Sequence, residues 1–154
     1  MEDIKIIKVD ETSSTNVLMR EYSGEEGRLM TVGVAAFQSA GRGQGENKWE
    51  SERGKNLTFS IKVYPVALPV MRQYVMLEAE SLAIRDALAG YVDDITIKWP
   101  NDIYWRDKKI SGTLSECTIS GSHVGSCILG TDRKSTRLNS SHHRIGDGGV
   151  GVEK

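Results

Sequence analysis

The sequence is short of the residues that most often announce a function. Only two of its 154 residues are cysteine and three are histidine. Cys117 and Cys127 have no CxxC partner, and His123, His142 and His143 fit no metal-ligand spacing, so a zinc module is excluded. Both cysteines are expected to be small, reduced residues packed in strands. Neither sign of charge predominates: 20 Lys plus Arg stand against 21 Asp plus Glu. The basic footprint of a nucleic-acid-binding protein is therefore missing, and any cationic role must be local. No window approaches the roughly 20 apolar residues of a membrane span, and Met1 to Lys8 holds no apolar run of signal-peptide length. The expected setting is the cytosol, with neither nucleic acid nor membrane as partner.

What is present is enough chain for one domain with a core of its own, needing no disulfide or metal to hold it. Ile4 to Val9 is β-branched and reads as a strand; Ser13-Ser14-Thr15-Asn16 offers helix N-caps, and Gly24 an end to the short helix that follows. Thr31 to Gln38 and Leu57 to Tyr64 have strand length, and the glycine-rich stretch between them, Ser39-Ala-Gly-Arg-Gly-Gln-Gly-Glu-Asn-Lys-Trp49, connects the two. From Pro69, the positions Val70, Tyr74, Leu77, Ser81, Ile84 and Leu88 form one stripe at helical spacing, with Gly90 at the expected C-cap. Short strands are expected at Ile95 to Lys98, Ile103 to Trp105, Lys109 to Ile119 and Val124 to Leu129, with hairpin turns at Arg106-Asp107-Lys108 and Ser120-Gly121-Ser122. The order of elements predicts an α+β fold with a mixed, largely antiparallel sheet packed on helices.

Four segments carry polar residues that a simple core does not demand. Ser14, Thr15 and Asn16 supply more hydrogen-bonding side chains than one cap needs. Gln38 ends a buried strand with an amide that can both donate to and accept from an uncharged polar ligand. Arg42, between Gly41 and Gly43, stands where backbone amides and a guanidinium can meet an anion, although the spacing is not that of a Walker loop. Trp49 closes that stretch either as a flat face for a purine ring or as an anchor for the loop's end. In Lys98-Trp99-Pro100-Asn101-Asp102, proline and asparagine favour a turn that projects polar groups, and Asp102 is either a solvated carboxylate or a ligand for Mg²⁺ beside phosphates. Lys109 opens a strand, and Gly112 lets a ligand approach the backbone closely.

In this order and at this spacing, Ser14-Thr15-Asn16, Gln38 to Gly43 with Trp49, Lys98 to Asp102, and Lys109 to Gly112 resemble the catalytic domain of biotin protein ligases over roughly residues 4 to 130. The resemblance implies ATP-dependent activation of biotin to biotinyl-5′-AMP, then transfer to a lysine on a biotin carrier domain of a biotin-dependent carboxylase. It implies that Ser14, Thr15, Asn16, Gln38 and Gly112 bind biotin, and that Arg42, Gly43 and Gln44 form a loop ordering over biotin and the adenylate. Lys109 would touch the biotin carboxylate and the α-phosphate, and with Arg42 would be catalytic. Gly41, Trp49 and Asn101 would face the nucleotide, and Asp102 the Mg²⁺. A homodimer is compatible with it.

Two departures qualify the likeness. Loops of the family often carry a further arginine after the second glycine, where this chain has Gln44-Gly45-Glu46, so a weaker hold on the adenylate is expected. The family continues past the last strand with a G-x-G-x-N segment; here Gly130 and Thr131 fit and Asp132 does not. Residues Asp132 to His142 resemble the translation of a common sequencing-library adapter. The expected boundary therefore places residues 1–131 in the N-terminal part of the catalytic domain and 132–154 in a non-native read-through tail. The alternatives are a biotin- or adenylate-binding fragment without turnover, and a lipoate ligase-like acyl-adenylate ligase. Against the last stand the absence of that family's double-arginine, triple-glycine loop and the presence of the Trp-Pro-Asn-Asp turn.

Overall fold

The computed structural model describes residues 3–22, 29–43, 45–46, 48–50 and 52–134. Its elements follow the expected sequence: β1 (Ile4–Thr12), α1 (Thr15–Glu21), β2 (Met30–Gln38), β3 (Gly41–Arg42), β4 (Lys48–Trp49), β5 (Asn56–Val63), α2 (Tyr74–Ala89), β6 (Ile95–Lys98), β7 (Asp102–Trp105), β8 (Lys108–Ser120) and β9 (His123–Lys134). Seven strands form one sheet in the order β1-β2-β5-β9-β8-β7-β6, with β3 and β4 as a separate two-stranded ribbon. Only the β1–β2 pair in the large sheet is parallel, and α1 crosses between those two strands. The α+β class with a mixed, largely antiparallel sheet is borne out.

Strand alternation assigns the helices to opposite faces. Leu129 and Cys127 of β9 pack with Leu77 of α2, and Ile103, Trp105 and Ile110 pack with Leu88 of the same helix. The adjoining Gly130 lies instead beneath Asn16 of α1. Each face of the sheet thus has its own helix; two apolar clusters lie under α2, and the fully buried Met19 lies under α1. Cys117 and Cys127 are directly opposite across β8 and β9 and are free thiols, as expected. Burial first, then the neighbouring Cys117, pushes the Cys127 thiol up to about 12.

Several boundaries differ from the pattern in the sequence. The long helix starts late: Val70–Arg72 form a 3₁₀ turn, and Tyr74, expected on the buried stripe, is 59% exposed. The turn closes on the tip of the β8–β9 hairpin, where Val70 N donates to Ser122 O, and this redirects the chain before the helix begins. Gly90 does serve as the C-cap, but in right-handed conformation. Helix α1 closes at Glu21 with Tyr22 as its C-cap, while Gly24 lies outside the described residues. Strand β9 runs on to Lys134, pairing Asp132, Arg133 and Lys134 with Thr58, Leu57 and Asn56 of β5. The ladder therefore crosses the boundary expected at residue 131. No helix among the described residues is long and apolar enough to cross a membrane.

One carboxyl is set into the α2 face. Glu80 is 6% exposed, accepts a hydrogen bond from Thr131 Oγ1 at 2.7 Å, and leaves its Oε2 buried with no hydrogen-bond partner. Burial lifts its pKa from 4.5 to about 7, against the opposing pull of Thr131 and Thr113. The folded chain keeps this proton up to about pH 7, whereas the unfolded chain gives it up near 4.5, so the associated stability is complete below 4.5 and is lost as pH rises through about 7. Comparison of urea unfolding for wild type and Glu80→Gln between pH 4 and 8 should show the variant gaining on the wild type by on the order of 3 kcal/mol, at about 1.4 kcal/mol per pKa unit. A difference that stays constant with pH would contradict the assignment.

Candidate active site

The N-terminus of α1 is fastened to the sheet by a closed polar cluster. Ser14 is the N-cap, its Oγ accepting from Val17 N at 3.1 Å, which fixes where the helix starts. That start turns Thr15 and Asn16 inward. Thr15 donates from both N and Oγ1 to Gln38 Oε1, at 2.7 and 3.1 Å. Ser60 Oγ lies 2.7 Å from Thr15 Oγ1 and 2.6 Å from Asn16 Oδ1, so its one proton serves the two in alternation. Asn16 Nδ2 reaches Leu114 O on β8 at 3.5 Å. Ser14, Thr15, Asn16 and Ser60 are all buried, and none is charged. The cluster can offer neutral donors and acceptors to a polar, uncharged group.

Charge gathers two strands further on. Lys109 Nζ and Asp102 Oδ1 are 2.9 Å apart, with their side chains 21% and 27% exposed. They meet across Gly112: a Cβ there would lie 3.2 Å from Lys109 Cε and 3.4 Å from Asp102 Oδ1. The missing side chain gives the ion pair its place over β8, where the sequence had suggested room for a ligand. Four residues further along β8, beyond Leu114, Arg42 Nη2 donates to Glu116 Oε1 at 2.5 Å, and Arg20 Nη2 to Glu116 Oε2 at 2.7 Å. A register slip between Ile103 and Tyr104 lets Lys109 and Gly112, three residues apart, share one face.

Sheet register joins the two groups. Ser60 pairs with Gly130, Gly130 with Leu114, and Gly112 with Asp102, and all of these positions lie on the α1 face. At about 4.8 Å per strand, the step from β5 across β9 and β8 to β7 spans about 14 Å, a neutral end facing a charged one. Of the residues expected at the site, Ser14, Thr15, Asn16 and Gln38 come together at the first end, and Lys109, Asp102 and Gly112 at the second. Arg42 lies instead at Glu116, reaching it from the β3–β4 ribbon, in which Gly41 pairs with Trp49 and Arg42 with Lys48. Asn101 is held apart from them, its Nδ2 donating to Thr113 O at 2.6 Å, which ties the Trp-Pro-Asn-Asp turn to β8. Gly43 follows β3 directly, whereas Gln44 and the Trp49 side chain lie outside the described residues.

Three participants escaped the sequence reasoning, Ser60, Arg20 and Glu116, while Gly130 was noted for its place in the G-x-G-x-N pattern but not for its contact with Asn16. Ser60 had a detectable signal, a small polar residue on one face of an alternating strand. Arg20 and Glu116 had none, because their partners are 74 or more residues away.

A model of the biotin/lipoate A/B protein ligase family matches residues 8–132. Among curated proteins, the Bifunctional ligase/repressor BirA of Bacillus spizizenii is 34% identical over 127 residues, 81% of this chain and 38% of the relative. The biotin–[acetyl-CoA-carboxylase] ligase of Mycobacterium tuberculosis is 32% identical over 114 residues, 70% of this chain and 42% of the relative. The chain thus spans about two fifths of the length of these relatives. Among solved structures, the biotin protein ligase of Leishmania major in complex with biotinyl-5-AMP superposes with a TM-score of 0.72 at 27% identity, over 97% of this chain and 67% of that one. The biotin protein ligase of Aquifex aeolicus with biotin and ATP gives 0.69 at 28% identity, over 93% and 57%.

The fit of Asn16 over Gly130 is tight enough to test. A Cβ on residue 130 would stand 1.9 Å from Asn16 Oδ1, and Asn16 is held by Ser60 and Leu114. Gly130→Ala should lower stability by about 1–3 kcal/mol. Combined with Asn16→Ala, it should cost clearly less than the sum of the two single changes, because the overlap is then gone. Additive losses in chemical denaturation would show that the two residues do not press on each other.

Proposed function

The chain belongs to the biotin/lipoate A/B protein ligase family, and from that premise we propose that it activates biotin with MgATP and passes it to a lysine on a biotin carrier domain of a biotin-dependent carboxylase. The observation that carries this reading is the row on the α1 face, neutral at Thr15, Asn16 and Gln38 and cationic at Lys109. Biotin has the same polarity: an uncharged ureido head at one end and a carboxylate at the other. The head can exchange hydrogen bonds with Thr15, Asn16 and Gln38, whose groups already both donate and accept.

The chemistry at the charged end follows from the groups there. A biotin carboxylate oxygen attacks the α-phosphorus of ATP and pyrophosphate leaves, so two anions must meet. Lys109 can neutralise both at once if it turns from Asp102 toward the new negative charge. Arg42 adds a second cation from the ribbon. The acceptor lysine, as a free amine, then attacks the acyl carbon, and AMP leaves with the bonding pair. The first site occupied by Mg²⁺ is the nucleotide itself, and the ion enters as part of the substrate. One carboxylate fits that demand, since Mg²⁺ takes one or two and completes its shell with phosphate oxygens and water. Asp102 is that carboxylate, already held at Lys109. Gly41, Trp49 and Asn101 are assigned to the nucleotide side, and Gly43 and Gln44 to the loop over the adenylate.

The expected result is pyrophosphate release from the purified chain with biotin and MgATP, and labelling of an added carrier domain. Lys109→Ala should reduce the first step by about 10²–10³-fold, the range for loss of one group that stabilises developing charge. Heat of biotin binding with no pyrophosphate release would reduce the chain to a binder, and preference for lipoate over biotin would move it to another branch of the family. We also keep residues 132–154 as read-through; genomic sequence across the codon for Thr131 should restore G-x-G-x-N, and its continuation into Asp132 to His142 would overturn that boundary.

A further inference from the structure

The only two cysteines of the chain stand directly opposite each other across the β8–β9 hairpin. Both face α2: Cys127 is fully buried in the cluster around Leu77 and Val124, and the half-buried Cys117 packs against the same cluster. We infer that Cys117 and Cys127 are a site of reversible oxidation, at which a small-molecule disulfide closes a cross-strand bridge in the folded chain; nothing in this depends on the function proposed above.

The phase of the ladder supports it. Opposite residues of antiparallel strands alternate between pairs that exchange both backbone hydrogen bonds and pairs that exchange none, and the second kind stand closer, with Cα atoms about 4.5 Å apart. Two contacts show which kind the cysteines are. Thr113 O accepts from Asn101 Nδ2, so the backbone groups of Thr113 turn toward β7 and not toward β9. At the other end of β8, Ile119 pairs with Val124, whose N–H goes to Leu68 O, away from β8. Thr113, Cys117 and Ile119 are even numbers of residues apart along β8 and share one phase. Cys117 and Cys127 are therefore a close pair without backbone bonds between them. Their expected separation falls within the span of about 4.4–6.8 Å that a disulfide bridges, so the side chains need only turn toward each other. One hydroxyl already touches both sulfurs: Ser115 Oγ lies 3.4 Å from Cys127 Sγ and 3.7 Å from Cys117 Sγ.

The two thiols have different parts in the reaction. Burial pushes the Cys127 thiol up to about 12, which makes it a poor first nucleophile, so attack begins at the more accessible Cys117. The Cys117 thiolate attacks one sulfur of the oxidant, and the other half departs as a thiolate with the bonding pair. Cys127 then loses its proton to that thiolate and attacks the Cys117 sulfur, expelling the second half. Two thiols are oxidised and one small disulfide is reduced to two thiols. The product carries no charge, so the core under α2 never has to keep a thiolate.

The test equilibrates the full chain with mixtures of reduced and oxidised glutathione, traps it by alkylation and weighs it by intact mass spectrometry. The main oxidised species should have lost two hydrogen atoms, carry no glutathione, and revert with dithiothreitol. At fixed reduced glutathione, half-oxidation in urea should need at least about tenfold more oxidised glutathione than in native buffer, because a bridge that stabilises the fold is favoured by the fold to the same degree. Cys127→Ser should retain one glutathione on Cys117, and Cys117→Ser should stay unmodified. Glutathione remaining on the wild type, a bridge between two copies of the chain, or equal midpoints in urea and native buffer would each overturn the inference. If Cys127→Ser fails to fold, the wild-type comparison alone decides.

Discussion

The seam between α1 and the sheet is polar, and the arrangement of the site depends on it. On β5 the residues turned toward α1 are Thr58, Ser60 and Lys62, all buried, while Phe59, Ile61 and Val63 face the other side. Burying such groups costs stability unless they find partners, and Ser60 and Lys62 do. Ser60 meets Thr15 and Asn16 at the start of α1. Lys62 Nζ donates to Met19 O and Tyr22 O at its end, at 3.1 and 2.9 Å, where unpaired carbonyls and the helix dipole favour a cation. A seven-residue helix is too short to hold itself together. Fastening at both ends by directional bonds sets its register, which an apolar seam would leave freer to slide. Thr15 and Asn16 are aimed by that register.

The two faces of the sheet divide the work. Under α2 the contacts are apolar, among Leu77, Leu88, Ile103, Ile110 and Leu129, and this is where burial of hydrocarbon drives folding. Under α1 the fully buried Met19 packs over Gly33, and around it stand hydrogen bonds and ion pairs, which contribute less net stability but fix geometry. Strands β8 and β9 belong to both, since alternate residues serve each face. Thr113 and Thr131 reach Glu80 on one side, while Leu114 and Gly130 meet Asn16 on the other.

Most of the fold was legible because its signals are local. β-branched runs, cap residues at Ser14 and turn residues at Arg106 and Gly121 act over a few positions, and the elements appear where those signals place them. The start of α2 was misjudged because the stripe through Val70 and Tyr74 continues past the point where the chain is turned by the β8–β9 hairpin, a constraint from 50 residues away. The same limit explains the site. Gln38 and Lys109 stood out because each interrupts a strand end with a polar group. The alternation of β5 shows that it has a polar face, but nothing local reveals that α1 covers that face. Glu116 looked like an ordinary strand residue until β3 and α1 were set beside it.

A last consequence follows from how the cations are held. Lys109 rests on Asp102, and Arg42 on Glu116. A cation grouped with other cations would repel its neighbours and drift into solvent; paired with a carboxylate, each keeps a fixed direction. The same pairing lowers the attraction an incoming anion feels, so part of the binding energy goes into loosening the pair. The two pairs differ in this respect. Lys109 carries a single compact ammonium and must turn from Asp102 to serve a new anion fully, whereas Arg42 is a planar fork that can keep Glu116 on one nitrogen and offer others. A site built this way separates the duties: the arginine can engage an anion as it arrives, and the lysine responds where charge grows during reaction. In a chain whose charges nearly cancel, this local arrangement provides what a general excess of positive charge would not, a cation with a defined target.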